Sequence, residues 1–261
     1  MARSRRRPPA PDATEELVQL AIDLDLTALA EALPEILHRA EIEGTSFTDF
    51  ALALLRTEVQ ARRDRRLTRS LRRSHLGAVE GLDGFDFAVR PQLEPRVVKE
   101  LCNCRFVDEH RNVLCLGKPG LGKTRIAKAL AHAACIAGYS TLSIVTAEML
   151  EDLHASQADR SYKRALRRYT KPQVLLLDEF AYEPFDIKAT TYLFRVVSAR
   201  HGQGSIILTA NTGFTHWKTL FPSEVMAVAT VDRLVDRATI LRFTGKSHRG
   251  PHEVLGAPLE D

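Results

Sequence analysis

Apolar residues recur along this chain with two different periods. From Asp12 to Leu76 they stand three and four apart, which predicts amphipathic helices. Asp12, with Glu15 three residues on, can cap the first of them, and Leu17, Leu20 and Leu24 follow at near-helical spacing. Leu26, Leu29, Leu33, Ile36 and Leu37 make a second apolar face, which Pro34 could kink or interrupt. Gly44 is a helix stop, and Ser46 followed by Asp49 is a fresh N-cap. Phe47, Phe50, Ala51, Leu54, Leu55 and Val59 then repeat at helical spacing. That helix is expected to run on into Arg62, Arg63, Arg65, Arg66, Arg69, Arg72 and Arg73, so that one helix passes from a packed half to a strongly basic half.

Between residues 98 and 244 the pattern changes. Short, nearly continuous apolar runs at Val113–Leu116, Thr141–Val145, Val174–Leu177, Ser205–Ala210 and Ala238–Phe243 alternate with helical stretches. Such runs predict the strands of a parallel sheet covered on both faces. Gly77, Gly81, Gly84, Pro91 and Pro95 mark residues 77–97 as a linker between domains. The expected organisation is a basic, disordered tail over 1–11, a helical domain over 12–76, the linker, an α/β domain over 98–250 and a tail over 251–261.

Composition narrows the classes. With 261 residues, 44% hydrophobic and 27% charged, the chain can bury a core as a soluble globular protein. No apolar run approaches a membrane span. The basic N-terminus has no apolar stretch behind it and is not a secretory signal, so a cytoplasmic location is expected. Cys102, Cys104, Cys115 and Cys135 match no common zinc spacing and read as free, mostly buried thiols. The net charge of +4 is modest, but arginines crowd residues 56–73 and a second cluster stands at 163–168. Basic patches of this kind point to nucleic acid; they are equally compatible with solvated helix faces.

The candidate chemistry centres on Gly117-Lys118-Pro119-Gly120-Leu121-Gly122-Lys123-Thr124, between an apolar run and an alanine-rich helical stretch that begins at Arg125. This strand, glycine loop and helix context is that of a phosphate-binding loop. Its amides and the helix N-terminus form an anion cradle. Lys123 would reach the β- and γ-phosphates of ATP, and Thr124 would offer its hydroxyl to Mg2+. Four apolar residues at Val174–Leu177 end in Asp178 and Glu179. In open α/β sheets that strand end is where ligands bind, which suits Asp178 for the metal and Glu179 for activating water. Asn211 ends the next strand, where it could bond the water or the γ-phosphate, or serve as an ordinary turn residue. Arg233, after Asp232, could complete a neighbouring subunit's site as an arginine finger; Arg237 competes for that role, and an ion pair with Asp232 or Asp236 is the alternative. Phe85-Asp86-Phe87 could pack near the adenine or simply in the core.

Together these residues resemble the IstB-like transposition helper ATPases, relatives of the DnaC helicase loader in the AAA+ class. The resemblance rests on Gly117–Thr124, Leu177-Asp178-Glu179-Phe180, Thr209-Ala210-Asn211, Asp232-Arg233-Leu234, Gly245-Lys246-Ser247-His248-Arg249, the Ser46-Phe47-x-x-Phe50 entry, the arginine-rich helix and Phe85-Asp86-Phe87. It implies an α/β fold with strand order 5-1-4-3-2, a small helical N-terminal domain and no separate C-terminal lid. It implies sensor and finger roles for Asn211 and Arg233. It further implies largely sequence-nonspecific binding to duplex DNA, ATP-dependent homo-oligomer assembly on it, and help to a cognate transposase in target selection. The expected DNA contacts are Arg62, Arg63, Arg66, Arg69 and Arg73, with Lys163, Arg164, Arg167 and Arg168, which share one side of a helix. A DnaC-like helicase loader and a nucleotide-gated DNA scaffold with negligible turnover remain the competing readings.

Overall fold

The computed structural model describes residues 13–245. The expected tails over 1–11 and 251–261, the Asp12 cap and Lys246-Ser247-His248-Arg249 lie outside the described residues. Two compact units divide the chain between Thr68 and Arg69.

The first unit begins with α1 (Ala13–Asp23) and α2 (Thr27–Glu43), which pack on each other. Ala21, Ala30, Leu33 and Ile36 are the apolar side chains they bury. Pro34 does not interrupt α2. Gly44 ends it in the left-handed conformation expected of a helix stop, φ 60°, with its N–H on the Ala40 carbonyl. The Asp49 amide donates to Ser46 Oγ at 3.1 Å and the Ser46 hydroxyl donates back to Asp49 at 2.6 Å, so α3 (Phe47–Ser74) starts where the cap signal stands. The face expected at Leu26, Leu29, Leu33, Ile36 and Leu37 is buried or half-buried, whereas the faces expected on α1 and α3 are largely open. Leu17, Leu20, Leu24, Phe47, Leu55 and Val59 are exposed. A carboxylate joins α3 to α2 instead: Glu58, 5% exposed, accepts the Leu29 amide at 3.2 Å and pairs with Arg62 at 2.8 Å and Arg65 at 3.0 Å.

In the second unit, α4 (Pro95–Leu101) and α5 (Arg105–Asp108) precede β1 (Val113–Gly117), which is followed by α6 (Lys123–Ile136), β2 (Thr141–Val145), α7 (Thr146–Ala155), α8 (Tyr162–Thr170), β3 (Val174–Phe180), α9 (Ile187–Arg200), β4 (Ser205–Ala210), α10 (Phe214–Leu220), α11 (Glu224–Val235) and β5 (Thr239–Phe243). The five strands form one parallel sheet in the order β2-β3-β4-β1-β5. That is the 5-1-4-3-2 order implied by the resemblance, read from the other edge. Every residue of β4 is buried, as a sheet covered on both faces requires. Helix α6 packs across the central strands, α7 over β2 and β3, and α9 against α7, α8 and α11.

The Arg200 guanidinium is a buried brace rather than a surface charge. It donates to the carbonyls of Tyr169, Pro172, Gln173 and Ser205 at 2.7–3.1 Å, tying the ends of α8 and α9 to the starts of β3 and β4. Burial lowers its pKa to about 10. The four cysteines are free, with Cys104, Cys115 and Cys135 buried. Burial pushes the Cys115 thiol up to about 12, so this residue of β1 acts as an apolar filler beneath the glycine loop. No helix among the described residues is long and apolar enough to cross a membrane.

Candidate active site

β1 delivers the chain to the C-terminal edge of the sheet at Gly117. A Cβ at that position would stand 2.2 Å from the Phe243 carbonyl oxygen, so only glycine lets β5 lie alongside. Gly122 turns with φ 88° directly before α6, and a Cβ there would meet Phe85 Cε2 at 2.7 Å. The first amides of α6 therefore open into the loop, where the helix dipole favours an anion. Lys123 is 6% exposed, and its Nζ donates to the Lys118 carbonyl at 2.8 Å, curling the loop around the ammonium.

The carboxylates arrive on β3. The Thr124 hydroxyl donates to Asp178 Oδ1 at 3.0 Å, linking the loop helix to the strand end. Thr209, at the end of β4, donates its hydroxyl to the same Asp178 oxygen. The Glu179 amide donates to Thr209 Oγ1 at 3.1 Å, and the Thr146 hydroxyl donates to the Asp178 carbonyl at 2.9 Å. Register slips between Leu177 and Phe180, and Glu179 takes φ 54°, an uncommon conformation for a residue with a side chain. The slip turns the Glu179 carboxylate outward, into the cleft, while Phe180 returns to the core against Trp217, ring centroids 4.7 Å apart.

Lys123 and Thr124 at the start of α6, Glu179 on β3 and Asn211 after β4 line one cleft of about 830 Å³ together with Pro119, Gly120, Gly122, Arg125, Thr209 and Tyr182. Residues 80–86 form its remaining wall. The Arg125 guanidinium donates to the carbonyls of Gly81 and Asp83, pairs with Glu80 at 3.2 Å and lies 5.7 Å from the Phe85 ring centroid. Phe85 meets Phe87 edge-on at 4.8 Å. Arg90, fully buried, anchors the far end of this segment on the Leu121 carbonyl at 3.1 Å. Part of the glycine-rich stretch read as a linker is thus a wall of the cleft.

Arg233 is not brought to this cleft. It stands near the C-terminal end of α11, at the opposite edge of the sheet. There the Asn112 side chain, just before β1, donates to the carbonyls of Arg233 at 3.4 Å and Leu234 at 3.0 Å. The Arg233 guanidinium lies 4.9 Å from the Phe194 ring centroid and donates to Ala229 O at 2.8 Å. It is His201, not Arg233, that pairs with Asp236, at 2.9 Å. Arg237 shares a small cavity with Arg233. Among the expected DNA contacts, Arg62 is engaged by Glu58, and Arg168 lies 3.7 Å from Asp152 and 5.6 Å from the Tyr169 ring centroid. Arg63, Arg66 and Arg73 are exposed on α3, as are Lys163, Arg164 and Arg167 on α8.

Sequence reasoning set Thr209 in a motif without a role and passed over Thr146, Asn112 and Arg200. A hydroxyl at the end of the strand beside the acidic one was the available signal for Thr209. Nothing local marks the other three, whose partners, the Ser205 carbonyl bonded by Arg200 apart, stand roughly thirty to over a hundred residues away.

A family model described as IstB-like ATP binding protein matches residues 19–255. A protein named as an ATP-binding protein of insertion sequence IS21, from Pseudomonas aeruginosa, is 32% identical over 234 residues, covering 90% of this chain and 88% of the relative. One from an insertion sequence of Mycobacterium tuberculosis is 34% identical over 227 residues, covering 87% of this chain and 90% of the relative. Among solved structures, DnaI aligns with a TM-score of 0.55 at 19% identity, over 65% of this chain and 92% of its own. The DnaC helicase loader aligns with a TM-score of 0.51 at 17% identity, over 57% and 87%. At those identities the likeness is one of fold.

Proposed function

The chain belongs to the IstB-like ATP-binding protein family, and on that premise we propose that it is a DNA-binding ATPase that assembles on duplex DNA with ATP and assists a partner transposase in target selection. Nucleotide binding and association with insertion sequences come with the family; hydrolysis, assembly, DNA and the transposase are the finer reading. The observation that carries it is the direct 3.0 Å bond between Thr124 of the glycine loop and Asp178 of β3, with Glu179 and Asn211 facing the cleft beside it.

The residues divide the work as follows. The loop amides from Gly117 to Thr124 and the start of α6 hold the phosphate chain, and the Lys123 ammonium neutralises its β–γ end. The 80–86 wall, with Phe85 against Gly122, bounds the other end of the cleft. Thr124 Oγ1 and Asp178 Oδ1 are hard oxygen donors converging on one point, a set that fits Mg2+ with the rest of its shell drawn from phosphate and water. Bound there, Mg2+ would offset the charge that develops on the phosphate oxygens. Glu179 takes a proton from the attacking water, and Asn211 orients that water or the γ-phosphate by a hydrogen bond. Thr209 holds Asp178 and the Glu179 backbone in register for both tasks. Products are ADP and phosphate.

Arg233 cannot serve its own cleft. It lies at the N-terminal edge of the sheet, and β1 alone separates that edge from the loop by roughly 15 Å. A neighbouring subunit's cleft is its proposed target, which makes turnover depend on assembly. The exposed cations of α3 and α8 supply the contacts to duplex backbone, without a base-reading element.

The test is phosphate release with and without duplex DNA, alongside imaging of the protein with an ATP analogue on duplex. DNA-stimulated turnover and nucleotide-dependent assemblies are expected, with Glu179→Gln trapping the assembled, DNA-bound form. Failure to bind duplex and to assemble with nucleotide at moderate salt would overturn the reading. Nucleotide-dependent DNA binding without turnover would replace it with a gated scaffold. Capture of a replicative helicase rather than a transposase would replace it with a loader.

A further inference from the structure

The second unit holds the last arginines of α3, Arg72 and Arg73, together with the basic cluster of α8. His75 stands just past the end of α3, with Ser74 between it and Arg73, and Arg168 closes the cluster on α8; both line a cleft of about 320 Å³. Lys128, half-buried on α6 and not part of either cluster, lines the same cleft. Ser143 of β2 also lines it, with Glu148 and Asp178 as its carboxylates.

We propose that this cleft is a seat for a backbone phosphate of duplex DNA, with Lys128 as a DNA contact that joins Arg72 and Arg73 to the α8 cluster in one track. The proposal rests on the DNA-binding reading given above.

The charge arrangement supports it. Helix α6 contains no carboxylate, so its own turns offer Lys128 no partner. The Asp178 carboxylate is already engaged by the Thr124 and Thr209 hydroxyls, which leaves exposed Glu148 as the opposing charge. Arg168 lies 3.7 Å from Asp152 and 5.6 Å from the Tyr169 ring centroid, and its planar guanidinium carries several donors suited to a phosphate. Exposed Arg72 and Arg73 continue the positive surface from one cluster, and Arg164 and Arg167 from the other. A single small anion would fill the seat and leave those arginines unused, whereas a polyanionic backbone engages both.

The position of the seat has a consequence for turnover. Lys128 lies one helical turn beyond Thr124 on α6, on the same side of the helix. Asp178 borders both the nucleotide couple and this cleft. A phosphate bound at Lys128 therefore braces the helix and the strand end that hold the Thr124–Asp178 bond.

The experiment measures duplex binding by the full chain as a function of salt, in the presence of a slowly hydrolysed ATP analogue, for the parent protein, Lys128→Gln and Arg168→Gln. Losing one phosphate contact should make the fall in affinity between about 50 and about 200 mM salt some 3.5-fold smaller, and should reduce DNA stimulation of ATPase activity. Analogue binding serves as the control for folding. Salt slopes in both variants equal to the parent's overturn the proposal while leaving the DNA-binding reading standing; absence of duplex binding by the parent overturns that reading itself. If Lys128→Gln fails to bind analogue, Arg168→Gln, on the exposed face of α8, decides the matter. Displacement of DNA from the parent by micromolar inorganic phosphate at constant ionic strength would assign the seat to a free anion instead.

Discussion

Thr209 donates to the Asp178 carboxylate and accepts the Glu179 amide, so one hydroxyl orients both acidic residues. Thr209→Val keeps the shape but removes both bonds, leaving the Glu179 N–H only the Asp178 Oδ1 at 3.2 Å, at a cost of about 0.5–1.5 kcal/mol in stability. Turnover should fall by about tenfold or more while ATP affinity changes little; an unaltered kcat would remove Thr209 from the site. Gly122→Ala is expected to be more damaging to binding than its single methyl suggests. The new Cβ meets Phe85 at 2.7 Å at a position with φ 88°, which costs about 1–3 kcal/mol and displaces the cleft wall. A calorimetric titration with ATP analogue should show weakened binding, and parental affinity would mean the wall moves freely. At this scale the sequence could place a residue at one cleft where it stands at a set offset from a strand. Lys123, Thr124, Asp178, Glu179 and Asn211 all do. It failed for Asn112, Arg200 and Thr146, because their partners belong to other elements and no short pattern encodes them.

Among the elements, α3 departs furthest from its hydrophobic pattern. Its leucines repeat as a packing face would, yet Leu55 and Val59 are exposed and Glu58 makes the joint with α2. The hydrogen bond from Arg62 holds the Glu58 carboxyl below its ordinary range, with the Leu29 amide and Arg65 adding to the effect. A carboxylate with a lowered folded pKa contributes stability that is present above its unfolded pKa and is lost as pH falls through the folded value. The helical signal of the first unit should therefore weaken as pH drops below about 4, and Glu58→Gln should flatten that dependence; a wild-type melt insensitive to acid would argue against the joint. Arg200 is the corresponding brace in the second unit. Arg200→Met would strand four carbonyls, for a loss of at least about 3 kcal/mol by chemical denaturation. A loss under about 1 kcal/mol would mean water replaces the guanidinium.

In the whole molecule, the parallel sheet sets the glycine loop and Arg233 at opposite edges, and this separation makes the proposed finger testable without a structure of the assembly. Lys123→Ala should abolish ATP binding but keep its arginine, while Arg233→Ala should bind ATP and turn over poorly. Mixing the two should restore part of the DNA-stimulated activity that neither has alone. No recovery, or normal turnover by Arg233→Ala, would exclude Arg233 and turn attention to Arg237. The chain by itself determined the strand run, the glycine loop, the acidic strand end and the helix caps, because each is written in residues within a few positions of one another. Strand order was implied by the family resemblance rather than by local pattern. Only the tertiary structure decided that Glu58 replaces the leucine face, that residues 80–86 wall the cleft, that Arg233 faces away from its own loop, and that His75, Lys128 and Arg168 meet. Those outcomes depend on which distant segments the sheet and its crossovers bring together, and spacing along a single chain carries no measure of that distance.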